Sequence, residues 1–187
     1  MKMRSHGIWV VLLAVLVSIP AVAARAQQAT DEAKDPWAAL RFLEGRWAGT
    51  GEGKSGLSIA ERTYTFVLGG NFLRGEHRSE FEPQERNPEG EVHENFDMYS
   101  HDAINDRIVL RQFHVEGFVN RYIMAPVTGG GEIIVLETDE IENIPPGWKA
   151  RIRITRRGDD EFGEEFELSP PGGGYSCYSR NTFRRVE

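Results

Sequence analysis

Beyond residue 45, apolar positions recur at every second residue in short runs, and clusters of glycine, proline and acids separate the runs. In "RTYTFVL" Tyr64, Phe66 and Leu68 fall on one side, with Thr63 and Thr65 on the other. In "EFGEEFEL" Phe162, Phe166 and Leu168 alternate with Gly163, Glu165 and Glu167, and Glu164 interrupts the apolar side. One apolar and one polar face per run is the signature of a half-buried antiparallel strand. The runs predict ten strands, over 47–52, 58–68, 72–81, 94–100, 108–115, 118–125, 132–139, 149–157, 161–168 and 175–185. Turn signals lie between them: "GG" at 69–70, "GGG" at 129–131, "GDD" at 158–160 and "PPG" at 145–147 and 170–172. No long helical pattern separates the strands, so parallel crossovers are excluded and an antiparallel meander follows. Ten strands in up-and-down order favour a closed barrel, which has no edges and leaves room for a small ligand.

Ahead of the strands, "DPWAALRFLEG" predicts one short helix that caps an end of the barrel. Asp35 suits its N-cap, Pro36 its first position and Gly45 its left-handed stop, while Trp37, Leu40 and Leu43 share a face. Further upstream, Lys2 and Arg4, the apolar run 7–19 and "AVAARAQQ" have the three-part layout of a secretory signal peptide. Cleavage is expected after Ala26, which makes 1–26 the signal peptide, 27–34 a flexible leader and 35–187 a single barrel domain. The apolar run is too short for a comfortable span, so no stable membrane insertion is expected after cleavage. The protein is expected to be exported, periplasmic or secreted.

Charge and cysteine content narrow the partners. The 22 basic side chains less Lys2, Arg4 and Arg25 leave 19 against 29 acidic ones, a formal charge of −10 after cleavage. Such a surface repels phosphate backbones, so nucleic acid is excluded as the expected partner. Cys177 is the only cysteine, so an exported chain has no internal disulfide and relies on its core.

The stretch "GRWAGTGEG" places Gly45, Trp47, Gly49, Gly51 and Gly53 on one face of an extended strand. Glycines there mark a bend, a close approach or ligand volume. With the short "L..L" segment before it, this G-x-W-x-G-x-G-x-G opening resembles that of the nitrobindin-like haem-binding β-barrels. Those belong to the wider calycin group with lipocalins and fatty-acid-binding proteins. A neighbouring bacterial family of unknown function opens similarly. The resemblance implies a ten-stranded calycin-like barrel with a pocket and, for nitrobindins, ferric haem acting on nitric oxide or peroxynitrite. It also implies an axial histidine in the last strand, where this chain reads "YSCYSRNTFRRVE" with none. Tyr178 or Cys177 stands roughly at that place, with His114 as a third possible haem ligand.

"RQFHVEGFVNRY" holds the densest polar cluster. A three-residue loop, 115–117 with Gly117 left-handed, sets His114 opposite Phe118, Gln112 opposite Asn120 and Leu110 opposite Tyr122. A two-residue loop, 116–117, groups Arg111 and Phe113 with Asn120 and Tyr122 instead. The first keeps both arginines on the wet face but sets Arg111 opposite Arg121, which nearby acids must offset. It places Gln112, His114, Asn120 and Tyr122 in an apolar interior, the usual make-up of a small-molecule site. Trp47, Gly49, Gly51 and Tyr64 complete the expected ligand-binding set.

His77, His93, His101 and His114 have no metal-type spacing, and no nucleophile or phosphate-binding motif is present, so neither a catalytic residue nor a metal is predicted. The acidic run "GDDEFGEE" reads as a solvated surface, and Trp148 either gates the mouth or packs against the outside, with packing preferred. The reading is an exported barrel for a small hydrophobic or amphipathic molecule. Its rivals are a haem barrel acting on reactive nitrogen species and a side-chain-filled barrel with a structural or interaction role.

Overall fold

The computed structural model describes residues 35–127 and 132–186. The expected signal peptide and leader, and all of "GGG" at 129–131, lie outside the described residues. Ten strands close into one antiparallel barrel: β1 (Gly45–Gly53), β2 (Gly56–Val67), β3 (Phe72–Phe81), β4 (Glu91–Asp102), β5 (Arg107–His114), β6 (Val119–Met124), β7 (Ile133–Glu142), β8 (Lys149–Arg156), β9 (Glu161–Ser169) and β10 (Ser176–Val186). Each strand pairs with the next in sequence, and β1 pairs with β10 to complete the ring. The fold is therefore an all-β, closed ten-stranded antiparallel barrel, and no strand edge is left open among the described residues.

The expected N-terminal helix does not form as an α-helix. Residues 36–40 are turns and only Arg41–Leu43 make a 3₁₀ turn. Bonds of i→i+3 type dominate: Leu40 N–H to the Trp37 carbonyl (2.7 Å), Leu43 to Leu40 (2.9 Å) and Glu44 to Arg41 (3.2 Å). Three residues per turn eclipse positions three apart, so Trp37, Leu40 and Leu43 all point into the barrel end and are buried. A segment this short gains more from that burial than from helical hydrogen bonds. The Trp47 indole donates to the Leu43 carbonyl (2.7 Å), and the Arg185 guanidinium clamps the carbonyls of Glu44 (2.7 Å) and Phe42 (2.8 Å).

This segment seals one end over a core of Trp47, Tyr64, Leu73, Tyr99, Leu110, Tyr122, Leu136, Phe162 and Phe183. Strand β2 stops at Val67, one residue short of the expected 68. Leu68 turns left-handed (φ 52°) and is 71 % exposed, so it leaves the face it was expected to share with Tyr64. Among the described residues, no helix is long and apolar enough to cross a membrane.

The β5–β6 hairpin takes the three-residue loop. His114 N–H bonds to the Phe118 carbonyl (3.1 Å), Gly117 N–H bonds to the His114 carbonyl (2.8 Å), and Gly117 has φ 85°. Gln112 pairs with Asn120 and Leu110 with Tyr122. Arg111 does face Arg121 on the outer surface, where Asp139 (2.8 Å) and Glu140 (3.0 Å) hold Arg121.

Candidate functional site

Opposite the packed end, the barrel opens into a cavity of about 650 Å³. Its rim comes from the turn 54–55, the start of β4, the β5–β6 hairpin and the loop 143–148. Ile144, Pro145 and Trp148 of that loop line the mouth. Trp148 is thus a mouth residue, 39 % exposed, rather than packed on the outer wall. Apolar walls come from Phe81, Phe118, Ile141, Ile152, Phe166 and Leu168. The barrel is not filled at this end.

Midway down the barrel, inward positions become polar and form the floor of the cavity. The Arg62 guanidinium meets the Glu164 carboxylate at 3.3 Å, with side chains only 6 % and 11 % exposed. Arg62 also donates to the carbonyls of Glu61 (3.0 Å) and Arg78 (3.3 Å) and to Ser79 Oγ (3.3 Å). Glu164 additionally accepts from Asn181 (3.1 Å). The residue that broke the apolar alternation of β9 is therefore one half of a buried ion pair, not part of a solvated acidic surface. A charge at that depth persists only when paired and hydrogen-bonded.

Beside it, His77 Nε2 approaches Asp97 Oδ2 at 3.4 Å, and the Asn95 amide donates to His77 Nδ1 and Asp97 Oδ1, both at 3.1 Å. Burial raises the Asp97 carboxyl to about 7, against the hydrogen bonds from Gln112 and Asn95 that lower it. Burial also holds the His77 imidazole well below its usual value, helped by the Arg62 charge. His77 is therefore neutral near pH 7.

Of the residues singled out in the hairpin, the fold assembles all four into one chain. Asn120 Nδ2 donates to His114 Nε2 (3.1 Å) and to the Tyr122 hydroxyl (3.0 Å), which donates to Gln112 Oε1 (3.2 Å). Gln112, His114 and Asn120 line the cavity, and Tyr122 lies just beneath it, fully buried. The His114 ring stacks on Phe118 with centroids 4.0 Å apart. Burial lowers its imidazole to about 4, with the neighbouring His93 adding to the drop and Glu116 opposing it.

Trp47 and Tyr64 sit in the packed end instead, and Gly49 lies against β10 there. A Cβ on Gly49 would collide with the Thr182 carbonyl, and one on Gly51 with the Asn181 amide and the Ser58 hydroxyl. These glycines admit close neighbours on β10 and β2, and the space where side chains would stand is already occupied. Of the haem alternatives, Tyr178 lines the mouth, with its hydroxyl 3.4 Å from Ser55 Oγ. Cys177 pairs with Glu167, an outward residue, because a bulge between Cys177 and Ser179 shifts the alternation of β10. Directly opposed residues share a face, so Cys177 points outward, and burial with nearby acids raises its thiol pKa.

Haem would need cations for its propionates, but Lys54 and Arg62 are the only cationic side chains on the lining among the described residues. Arg62 is already bound, and Glu52, Glu91 and Glu116 surround the mouth. These residues do not fit haem.

Five polar residues of the floor, Arg62, His77, Asn95, Asp97 and Glu164, escaped the sequence reading as site residues. Inward parity marked each of them: Arg62 lies two from Tyr64, and His77 four from Leu73.

No known family profile matches the chain, and no curated protein matches it. Among solved structures, the crystal structure of Rv2717c from M. tuberculosis aligns with a TM-score of 0.59 at 20 % sequence identity, over 82 % of this chain and 98 % of that one. Two barrels bound to DFHBI, the redesigned mFAP0 and EF1p2_mFAP2b, align at 11 % identity with TM-scores of 0.42. They cover 77 % and 79 % of this chain and 99 % and 97 % of their own. The likeness to Rv2717c is one of fold, a barrel with the same chain-wide extent.

Proposed function

We propose that the barrel holds one small amphipathic molecule, apolar body toward the walls and an uncharged hydrogen-bonding head on the polar floor. One observation carries this reading: a cavity of about 650 Å³ ends on a floor whose buried cation is already neutralised by Glu164. That volume is typical of small-molecule sites, which pair apolar walls with a few convergent polar groups. A carboxylate head, as in a fatty acid, would have to displace Glu164 from Arg62 while facing the acids of the mouth. A neutral head instead meets the amides of Gln112, Asn95 and Asn120.

Native mass spectrometry of the purified chain, made without added ligand, tests the reading directly. Mass excess equal to one neutral amphipath supports it, and so does displacement of a solvatochromic dye by neutral-headed but not carboxylate-headed competitors. Ile141→Trp, which narrows the mouth, should abolish dye binding with the fold intact. Equal dye binding by Ile141→Trp and the parent chain would sink the proposal.

The same reading takes 1–26 as a signal peptide removed on export. An N-terminus beginning after Ala26 in protein recovered from outside the cytoplasm supports it, whereas an intact Met1 on all of the protein refutes it. The nitrobindin alternative, haem with chemistry on nitric oxide or peroxynitrite, ranks behind because Arg62 is already paired with Glu164 and Lys54 stands among the acids of the mouth. A stoichiometric Soret band lost on Tyr178→Phe would reverse that order.

A further inference from the structure

At the mouth, three side chains with ligating atoms converge that a neutral amphipath does not need. His93 comes from β4, His114 from the end of β5 and Glu116 from the hairpin loop. One ring nitrogen from each histidine and one carboxylate oxygen lie within 4.8 Å of one another. His93 Nδ1 and Glu116 Oε1 are 2.9 Å apart. The β4–β5 register brings them together: Asn95 pairs with His114, which sets His93 diagonally beside that ring on the same inward face.

We propose that His93, His114 and Glu116 form a binding site for a divalent transition cation of the zinc type, with one coordination position open to the cavity. Two imidazoles and a carboxylate, leaving a fourth position free, are a common donor set for such a cation. The surroundings supply what a ligating histidine needs. One nitrogen of His114 is held by the Asn120 amide at 3.1 Å, and stacking on Phe118 fixes the ring plane. The other nitrogen, Nδ1, is buried without a partner, as is Asn120 Oδ1. A turn of the Asn120 amide lets Oδ1 accept from Nε2–H and from the Tyr122 hydroxyl, which gives up Gln112, and frees Nδ1 to coordinate.

Glu52 and Glu91 also line the mouth and add negative potential there. Glu116, on the loop tip, is half exposed. All three ligands line the cavity, so the open position points at the space an occupant would fill. The cation needs no occupant, and the inference does not rest on the ligand reading.

The test uses the purified, untagged chain stripped with a chelator and then titrated with Zn²⁺ alone, followed by calorimetry. Co²⁺ serves as the spectroscopic probe. The expected result is one equivalent bound and a Co²⁺ visible band of four-coordinate intensity. Affinity should fall at least about tenfold for Glu116→Gln and about a hundredfold for His93→Ala or His114→Ala. His101→Ala, whose imidazole lies near Asp106 at the other end of the barrel, should bind as the parent does. Circular dichroism checks that each variant is folded, and Glu116→Gln, on an exposed loop, serves if a histidine variant is not. Substoichiometric binding, or full affinity retained in Glu116→Gln and either histidine variant, would overturn the site in favour of a simple His93–Glu116 hydrogen bond.

Discussion

Two residue pairs in the floor behave differently: Arg62 and Glu164 are a charged pair, whereas Asp97 stands beside a neutral imidazole. Arg62 and Glu164 neutralise each other with little solvent access, so removing one partner strands the other. Glu164→Gln should cost about 3 kcal/mol in urea denaturation, whereas Arg62→Met with Glu164→Leu should lie much nearer the parent. A double variant as unstable as the single one would show that packing, not charge, sets the loss.

Asp97 carries a pH signature. Its carboxyl titrates near 3.8 when unfolded and at about 7 when folded, so the unfolded chain releases its proton first as pH rises. Its stabilising contribution is complete below the unfolded value, declines through the interval and is gone above about 7. His77, held low, works in the opposite sense and weakens the fold as pH drops below 6.5. Asp97→Asn should therefore flatten the descending limb, by up to about 1.4 kcal/mol per pH unit between about pH 4 and 7. Denaturation midpoints that run parallel for parent and variant across that range would exclude this account.

At the scale of elements, two glycines matter for unrelated reasons. Gly49 sits where β1 and β10 close the ring, and its missing side chain is filled by the Thr182 carbonyl and the Phe183 ring. Gly49→Val should destabilise the seam by on the order of 2 kcal/mol and should not report on ligand volume. Gly117 has open space around a would-be Cβ and is constrained only by its positive φ of 85°. Gly117→Ala should cost about 1 kcal/mol from backbone strain alone. Thermal midpoints that reverse this order would place the seam, not the hairpin, in the more forgiving part of the barrel. The N-terminal segment shows the same contest of local against tertiary preference. Its caps asked for a helix, yet three-residue spacing of Trp37, Leu40 and Leu43 is served better by 3₁₀ turns that bury all three.

Across the whole molecule, the barrel divides into a dry end and a wet end. Bulky apolar side chains of the N-terminal segment and ten strands fill the first. The second keeps about 650 Å³ open above a layer in which Arg62, His77, Asn95, Gln112, Asn120 and Glu164 hold one another. A neutral-headed amphipath at that floor and a cation at the rim would occupy separate levels of one cavity. Gln112→Leu should therefore weaken dye binding severalfold and leave Zn²⁺ affinity unchanged. Coupled loss of both would mean the two levels are one site.

The sequence alone determined the ten strands and the inward face where alternation is unbroken, and it favoured the observed β5–β6 register over a two-residue loop. Those follow from a two-residue period and from Gly117, both local properties of the chain. It marked Gln112, Asn120 and Tyr122 as one cluster because a hairpin joins neighbours in sequence. Depth along the barrel was beyond its reach, since alternation tells which face a residue takes but not how far from the mouth it lies. Trp47 and Tyr64 thus share the inward face with His114 and Gln112 yet sit in the packed end. Partnerships across the lumen were decided only by closure of the ring. Arg62 and Glu164 are 102 residues apart, and His93, His114 and Glu116 meet because β4 and β5 pair in one register. The tertiary structure made a site from residues that the linear chain keeps separate, because strand tilt and closure fix which inward side chains face each other.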